Sequence, residues 1–208
     1  MQGLQIRLNL LKTISSQTRS YSYPESDELF VVTDGATTHP TGIGATFYSM
    51  RDEKLLLSGF FSQQIKENQS DKWFPCEIEG LAIAGAIKFW NAYIAQSRHR
   101  TRVLTDSKPC RDAYNILCRG EFSSNARLST YLNTVSRYHV TIEHLAGVAN
   151  ALSDFSSRNP VPCVSDKCQV CLFTTNLDAS VVRSLTVRLN LEISMFLLFL
   201  PYEIFVET

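Results

Sequence analysis

The chain has 208 residues, 44% hydrophobic and 19% charged, with formal net charge zero. That length holds one good core with extras, and the composition excludes both a disordered chain and a coiled coil. Neutrality excludes a wholesale electrostatic grip on polyanions, although residues 88–158 carry ten Lys and Arg against five Asp and Glu, a local basic bias. Six cysteines are scattered with no secretory signal ahead of them, which reads as reduced thiols in an intracellular protein, cytoplasmic or nuclear.

Residues 1–23 are basic and Ser-rich, with Arg7, Lys12 and Arg19 and with Leu4, Leu8 and Leu11 on one helical face. The pattern has something of a transit peptide. It reads better as a linker or the remnant of a preceding region. Three strand signals follow. Residues 29–33 are apolar and β-branched, residues 44–50 alternate, and residues 54–61 form the third run. Asp52-Glu53 makes a tight turn between the last two, and the three are expected to form an antiparallel meander. Residues 62–74 read as polar and irregular.

Pro75 suits a first helical turn, with Glu77 and Glu79 at the positive end of the helix. Apolar residues from Ile78 to Tyr93 recur at three- and four-residue steps, which predicts one long helix with a broad buried face. Gly80 and Gly85 are costly inside a helix and suggest close packing on the sheet. Residues 101–105 form a fourth strand that ends in Asp106. Helices are expected over about 109–118 and 125–137, then a fifth strand over 138–144, a Gly-containing loop and a short helix over 150–157. Strand and helix alternating after a meander gives an α/β fold with a mixed five-stranded sheet flanked by helices.

Four acids stand at corresponding places: Asp34 on the first strand, Glu79 on the first helix, Asp106 at the end of the fourth strand, Asp154 on the last helix. Four carboxylates meeting in one crevice repel, and cannot all stay ionised without cations. Hard divalent ions with oxygen ligands, Mg²⁺ or Mn²⁺, are the natural partners, and two of them could clamp an in-line phosphodiester displacement. A lone Asp-Gly is more often a turn, and a lone His is more often structural. Three further acids, and His144 on a His-x-x-Gly loop ten residues before Asp154, favour a site.

These motifs carry a resemblance. Thr-Asp-Gly-Ala at 33–36, Glu-Gly-Leu-Ala-Ile at 79–83, Leu-Thr-Asp-Ser-Lys at 104–108 and His-Leu-Ala-Gly-Val-Ala-Asn-Ala-Leu-Ser-Asp-Phe-Ser-Ser-Arg at 144–158 look like the ribonuclease H domain of retroelement polymerases. The likeness is strongest to LTR retrotransposons of the gypsy type, and it covers about 24–160. It implies a ribonuclease H-like fold that cuts the RNA strand of RNA–DNA hybrids with two ions. Asp34, Glu79, Asp106 and Asp154 would be the ligands, and His144 would aid proton transfer or product release. Peptides near the motif loops, such as those of Gly35 and Ala36, would meet the 2′-hydroxyls. The partners it implies are a hybrid duplex and the polymerase and integrase parts of a polyprotein, with no membrane. Two rivals stand beside this reading. One is a decayed copy that folds and binds but does not cut. The other is an integrase-like nuclease, which would use an Asp-Asp-Glu order, whereas Glu79 stands between Asp34 and Asp106 here.

Residues 161–208 read as a Cys-containing linker and an apolar tail. Cys163, Cys168 and Cys171 invite a zinc site, but a closed one needs four ligands and no His or Cys follows Cys171. Residues 193–202 are very apolar but about half the length of a membrane span.

Overall fold

The computed structural model describes residues 27–38, 40–65, 73–121, 125–162, 171, 172 and 176. The stretch read as an N-terminal linker or remnant, most of the 62–74 stretch, Cys163, Cys168 and the apolar tail lie outside the described residues. No helix among the described residues is long and apolar enough to cross a membrane.

The elements run β1 (Glu28–Ala36), β2 (Gly42–Arg51), β3 (Lys54–Gln64), α1 (Pro75–Phe89), α2 (Asn91–Gln96), β4 (Thr101–Thr105), α3 (Lys108–Cys118), α4 (Ala126–Val135), β5 (Val140–His144), a 3-10 turn (Gly147–Asn150) and α5 (Ala151–Arg158). The sheet order is β3-β2-β1-β4-β5. β1 to β3 form the expected antiparallel meander, and β4 and β5 add parallel to β1. The β2–β3 turn places Asp52 and Glu53 at φ 48° and 60°, the twist that a two-residue hairpin needs. β3 runs to Gln64, so the start of the stretch read as irregular is strand.

Strand alternation divides the side chains between two faces. Leu29, Val31, Ile43, Ala45, Phe47 and Val103 bury against Ile78, Leu81, Ala82 and Leu132, forming the main core. The helix expected to reach Tyr93 breaks at Trp90 (φ −101°, ψ 21°). Trp90 is buried there with its ring stacked on Phe47 at 5.0 Å, so aromatic packing ends the helix where periodicity alone would continue it. Gly85 faces the sheet at Ile43 and Phe61, as expected. Gly80 instead lies under Leu128 of α4, where an added Cβ would sit 2.4 Å from Leu128 Cδ1.

On the other face α5 lies across β2 and β1. A Cβ on Gly44 would come within 2.5 Å of Ser157 N and 2.6 Å of the Ser153 carbonyl oxygen, so the helix rests on bare strand backbone. Its buried side chains are serines. Ser153 donates to the Val32 carbonyl at 2.9 Å and exchanges a hydrogen bond with Thr46 at 2.9 Å, and Ser62 donates to the Ser156 carbonyl at 2.9 Å. Buried hydroxyls satisfied this way fix the helix in position without an apolar face.

Candidate active site

The parallel pairing of β1 and β4 ends at Thr33↔Thr105, so the next residues, Asp34 and Asp106, emerge side by side at one end of adjacent strands. Asp34 is still paired with Gly44 of β2 and is only 5% exposed. Burial of a carboxylate needs partners. Asn150 Nδ2 donates to Asp34 Oδ1 at 3.2 Å and to the Thr33 carbonyl at 3.1 Å, and the Ser157 hydroxyl donates to Asp34 Oδ2 in a short contact. Both partners lie in the stretch that forms the 3-10 turn and α5, which locks the sheet's acid to that helix.

Glu79 arrives from α1. The helix passes so close to β1 at Gly35 that a Cβ there would lie 2.9 Å from Glu79 N and from the Ile78 carbonyl carbon. Any side chain at position 35 would push Glu79 away from Asp34. Gly35→Ala is therefore expected to destabilise by roughly 1–3 kcal/mol, as overpacking does; thermal melting checks this. The Gly35 backbone, this close, favours the ionised form of Glu79.

Asp106 precedes α3, whose first turn is capped by the Ser107 hydroxyl accepting from Cys110 N at 3.4 Å. Asp34, Glu79 and Asp106 each bring a carboxylate oxygen within 4.8 Å of the other two. Burial, followed by the charges of Asp34 and Asp106, pushes the Glu79 carboxyl up to about 8. Burial likewise raises Asp34, with Asp106 and Asp154 adding to the effect and the Ser157 hydroxyl opposing it. Glu79 Oε2 is buried with no hydrogen-bond partner among the described residues. An all-oxygen donor set, mutual repulsion and an unsatisfied buried oxygen together fit a hard cation.

Asp154 stands outside this group of three. It is on the same side, close enough for its charge to raise Asp34, but its Oδ1 accepts from Arg158 Nε at 2.6 Å. His144 ends β5 opposite Thr105, one strand beyond Asp106, and is exposed at the rim. The following loop is tied down by Leu145 N donating to the Thr105 carbonyl at 2.8 Å. It brings Gly147 over Asp106, where a Cβ would be 3.4 Å from Oδ2. Asn150, Ser157, Gly44 and Arg158 are the residues of this region that sequence reasoning gave no role, although three of them fall inside the 144–158 motif.

A family model described as the RNase H-like domain found in reverse transcriptase matches residues 25–138, which include Asp34, Glu79 and Asp106. The enzymatic polyprotein of Carnation etched ring virus is 27% identical over 156 residues, 74% of this chain and 22% of the relative. That of Figwort mosaic virus is 28% identical over 151 residues, 71% of this chain and 21% of the relative. The chain thus spans about a fifth of the length of these curated relatives. Among solved structures, the N-terminal RNase H domain of a Mycobacterium tuberculosis protein, fused to maltose-binding protein, is similar at TM-score 0.49 and 14% identity, covering 64% of this chain and 93% of that one. RNase H1 from Halobacterium salinarum gives 0.47 and 12%, covering 64% and 96%.

Proposed function

The chain belongs to the RNase H-like domain family found in reverse transcriptase, and from that premise we propose that it hydrolyses the RNA strand of RNA–DNA hybrids with Mg²⁺ or Mn²⁺. The observation that carries this reading is the meeting of Asp34, Glu79 and Asp106 at one end of the sheet, their oxygens within 4.8 Å of each other. Those three, with Asp154 joining from α5, would hold two ions. Such ions, when bound, activate a water and stabilise the leaving oxygen of an in-line phosphodiester displacement.

The protein's own groups do the positioning. Asn150 and Ser157 fix the Asp34 carboxylate from behind. Gly35 lets Glu79 close on it. Gly147, having no side chain, leaves the approach to Asp106 open. His144, exposed one strand away, would move a proton at the mouth of the site. His144→Ala is expected to slow turnover roughly ten- to a hundred-fold, on the low side of what a positioned acid or base supplies. Metal affinity, measured by calorimetry, should stay close to wild type; its complete loss would make His144 a ligand.

In this reading the hybrid is the partner, held in part by the basic surplus of residues 88–158. The polymerase part of a retroelement polyprotein would share the binding, with an integrase part elsewhere in the same polyprotein. The ending at 144–158 supports an element of the gypsy-like LTR type. The test is a gel assay of the full chain on a labelled hybrid with Mg²⁺, Mn²⁺ or EDTA. Cleavage with either ion and none with EDTA is expected. Equal cutting in EDTA would remove the metal from the mechanism.

A further inference from the structure

Among the described residues, Asp154 alone of the four acids is ion-paired. Arg158, one turn further along α5, donates through Nε to Asp154 Oδ1 at 2.6 Å. The backbone that carries both residues is fixed. Asn150 and Ser157 bind Asp34, Ser153 binds the Val32 carbonyl, and Gly44 lets the helix rest directly on β2. What can move is the side-chain pair itself, since Arg158 is 55% and Asp154 40% exposed. An exposed pair of this spacing is weak and yields to a competing cation.

We propose that Arg158 is a positioning residue that holds the Asp154 carboxylate off the Asp34–Glu79–Asp106 cluster, so that the fourth carboxylate joins cation binding only when this ion pair opens. The inference rests on the cation-binding reading above. The guanidinium sits at the C-terminal turn of α5, where a positive charge is favourable, and its charge also reaches Asp34. It therefore eases the repulsion among the acids while no cation is bound, and competes for the carboxylate that a weaker cation site would need. Two classes of cation site follow. The tighter belongs to the buried cluster and feels Arg158 only as a distant charge, the weakest influence on Asp34. The weaker includes Asp154 and does.

The experiment counts bound Mn²⁺ on the full-length protein, without nucleic acid, from the paramagnetic resonance of the free ion at fixed pH and salt. Wild type, Arg158→Gln, Asp154→Asn and the double variant are compared. Arg158→Gln is expected to lower the Kd of the weaker class roughly two- to five-fold, the scale of an exposed ion pair. In the Asp154→Asn background the same substitution is expected to change nothing, because a double-mutant cycle isolates the pair. An unchanged Kd in Arg158→Gln overturns the proposal. So does an equal gain in the Asp154→Asn background, which would make Arg158 only a distant repelling charge. Arg158→Met, which keeps the side-chain stem, provides the same reading if the Gln variant does not fold. Wild type that binds Mn²⁺ with no effect of Arg158→Gln sinks this inference alone, whereas wild type that binds no Mn²⁺ sinks the cation-binding reading with it.

Discussion

Asp34→Asn is expected to lower hybrid cleavage by about a hundred- to a thousand-fold, while leaving the metal-free protein as stable or more stable. Removing a preorganised charge-stabilising group costs about 10²–10³ in rate, and Asp34 is hydrogen-bonded to Asn150 and to Ser157 of α5, with the other two acids within 4.8 Å. An amide of the same shape keeps one oxygen for Asn150 or Ser157, so the link from β1 to α5 survives in part. It also removes a charge that helps raise Glu79. Melting followed by circular dichroism in EDTA reads the stability. Gel cleavage with Mg²⁺ or Mn²⁺ reads the activity. Survival of cleavage would show that the cluster does not carry the chemistry. A large drop in melting temperature would show that the charge is a structural requirement instead.

The second large effect is a pH dependence of metal-free stability. Burial, followed by the charges of Asp34 and Asp106, pushes the Glu79 carboxyl from its ordinary 4.5 up to about 8 in the folded chain. Between those values the folded state holds a proton that the unfolded state has lost. Stability therefore falls as pH rises, since the unfolded chain binds fewer protons. The contribution is complete below about pH 4.5 and is gone above about 8, with a size on the order of a few kcal/mol at most. Asp34, raised in the same direction, adds to the slope. In EDTA the protein is expected to melt higher at pH 5.5 than at pH 8.5, and Glu79→Gln is expected to flatten that difference. With saturating Mg²⁺ the slope should shrink or reverse, because a bound cation favours the ionised carboxylates. A Glu79→Gln profile as steep as wild type would place the titration elsewhere.

The parts of the fold legible in the sequence were those where local pattern and tertiary environment agree. β-branched and alternating runs gave the five strands, and the Asp52-Glu53 turn gave the meander's return. Asp34 and Asp106 were readable because each directly follows an apolar strand, and parallel pairing of those strands brings them together. Glu79 was readable from its place near the positive end of an apolar helix. Trp90 was not: its apolar character continues the helical pattern, and only its stacking on Phe47 ends the helix. The serines of α5 were not either. Hydropathy puts them on the surface, whereas hydrogen bonds to strand carbonyls and the bare backbone at Gly44 bury them. The pairing of Asp154 with Arg158 depends on rotamer choice at i, i+4, which composition and spacing permit but do not select.

The most direct test of the central claim is a side-by-side digestion of RNA–DNA, RNA–RNA, DNA–DNA and single-stranded RNA by the full chain at matched low salt with Mn²⁺. Two-ion chemistry does not by itself choose a sugar, so selectivity must come from contacts to the 2′-hydroxyl and to duplex shape. Only the RNA strand of the hybrid is expected to be cut, with little dependence on base sequence, and more slowly as salt rises. Equal cutting of DNA–DNA and RNA–DNA would contradict the account and leave a general nuclease built on the same three acids.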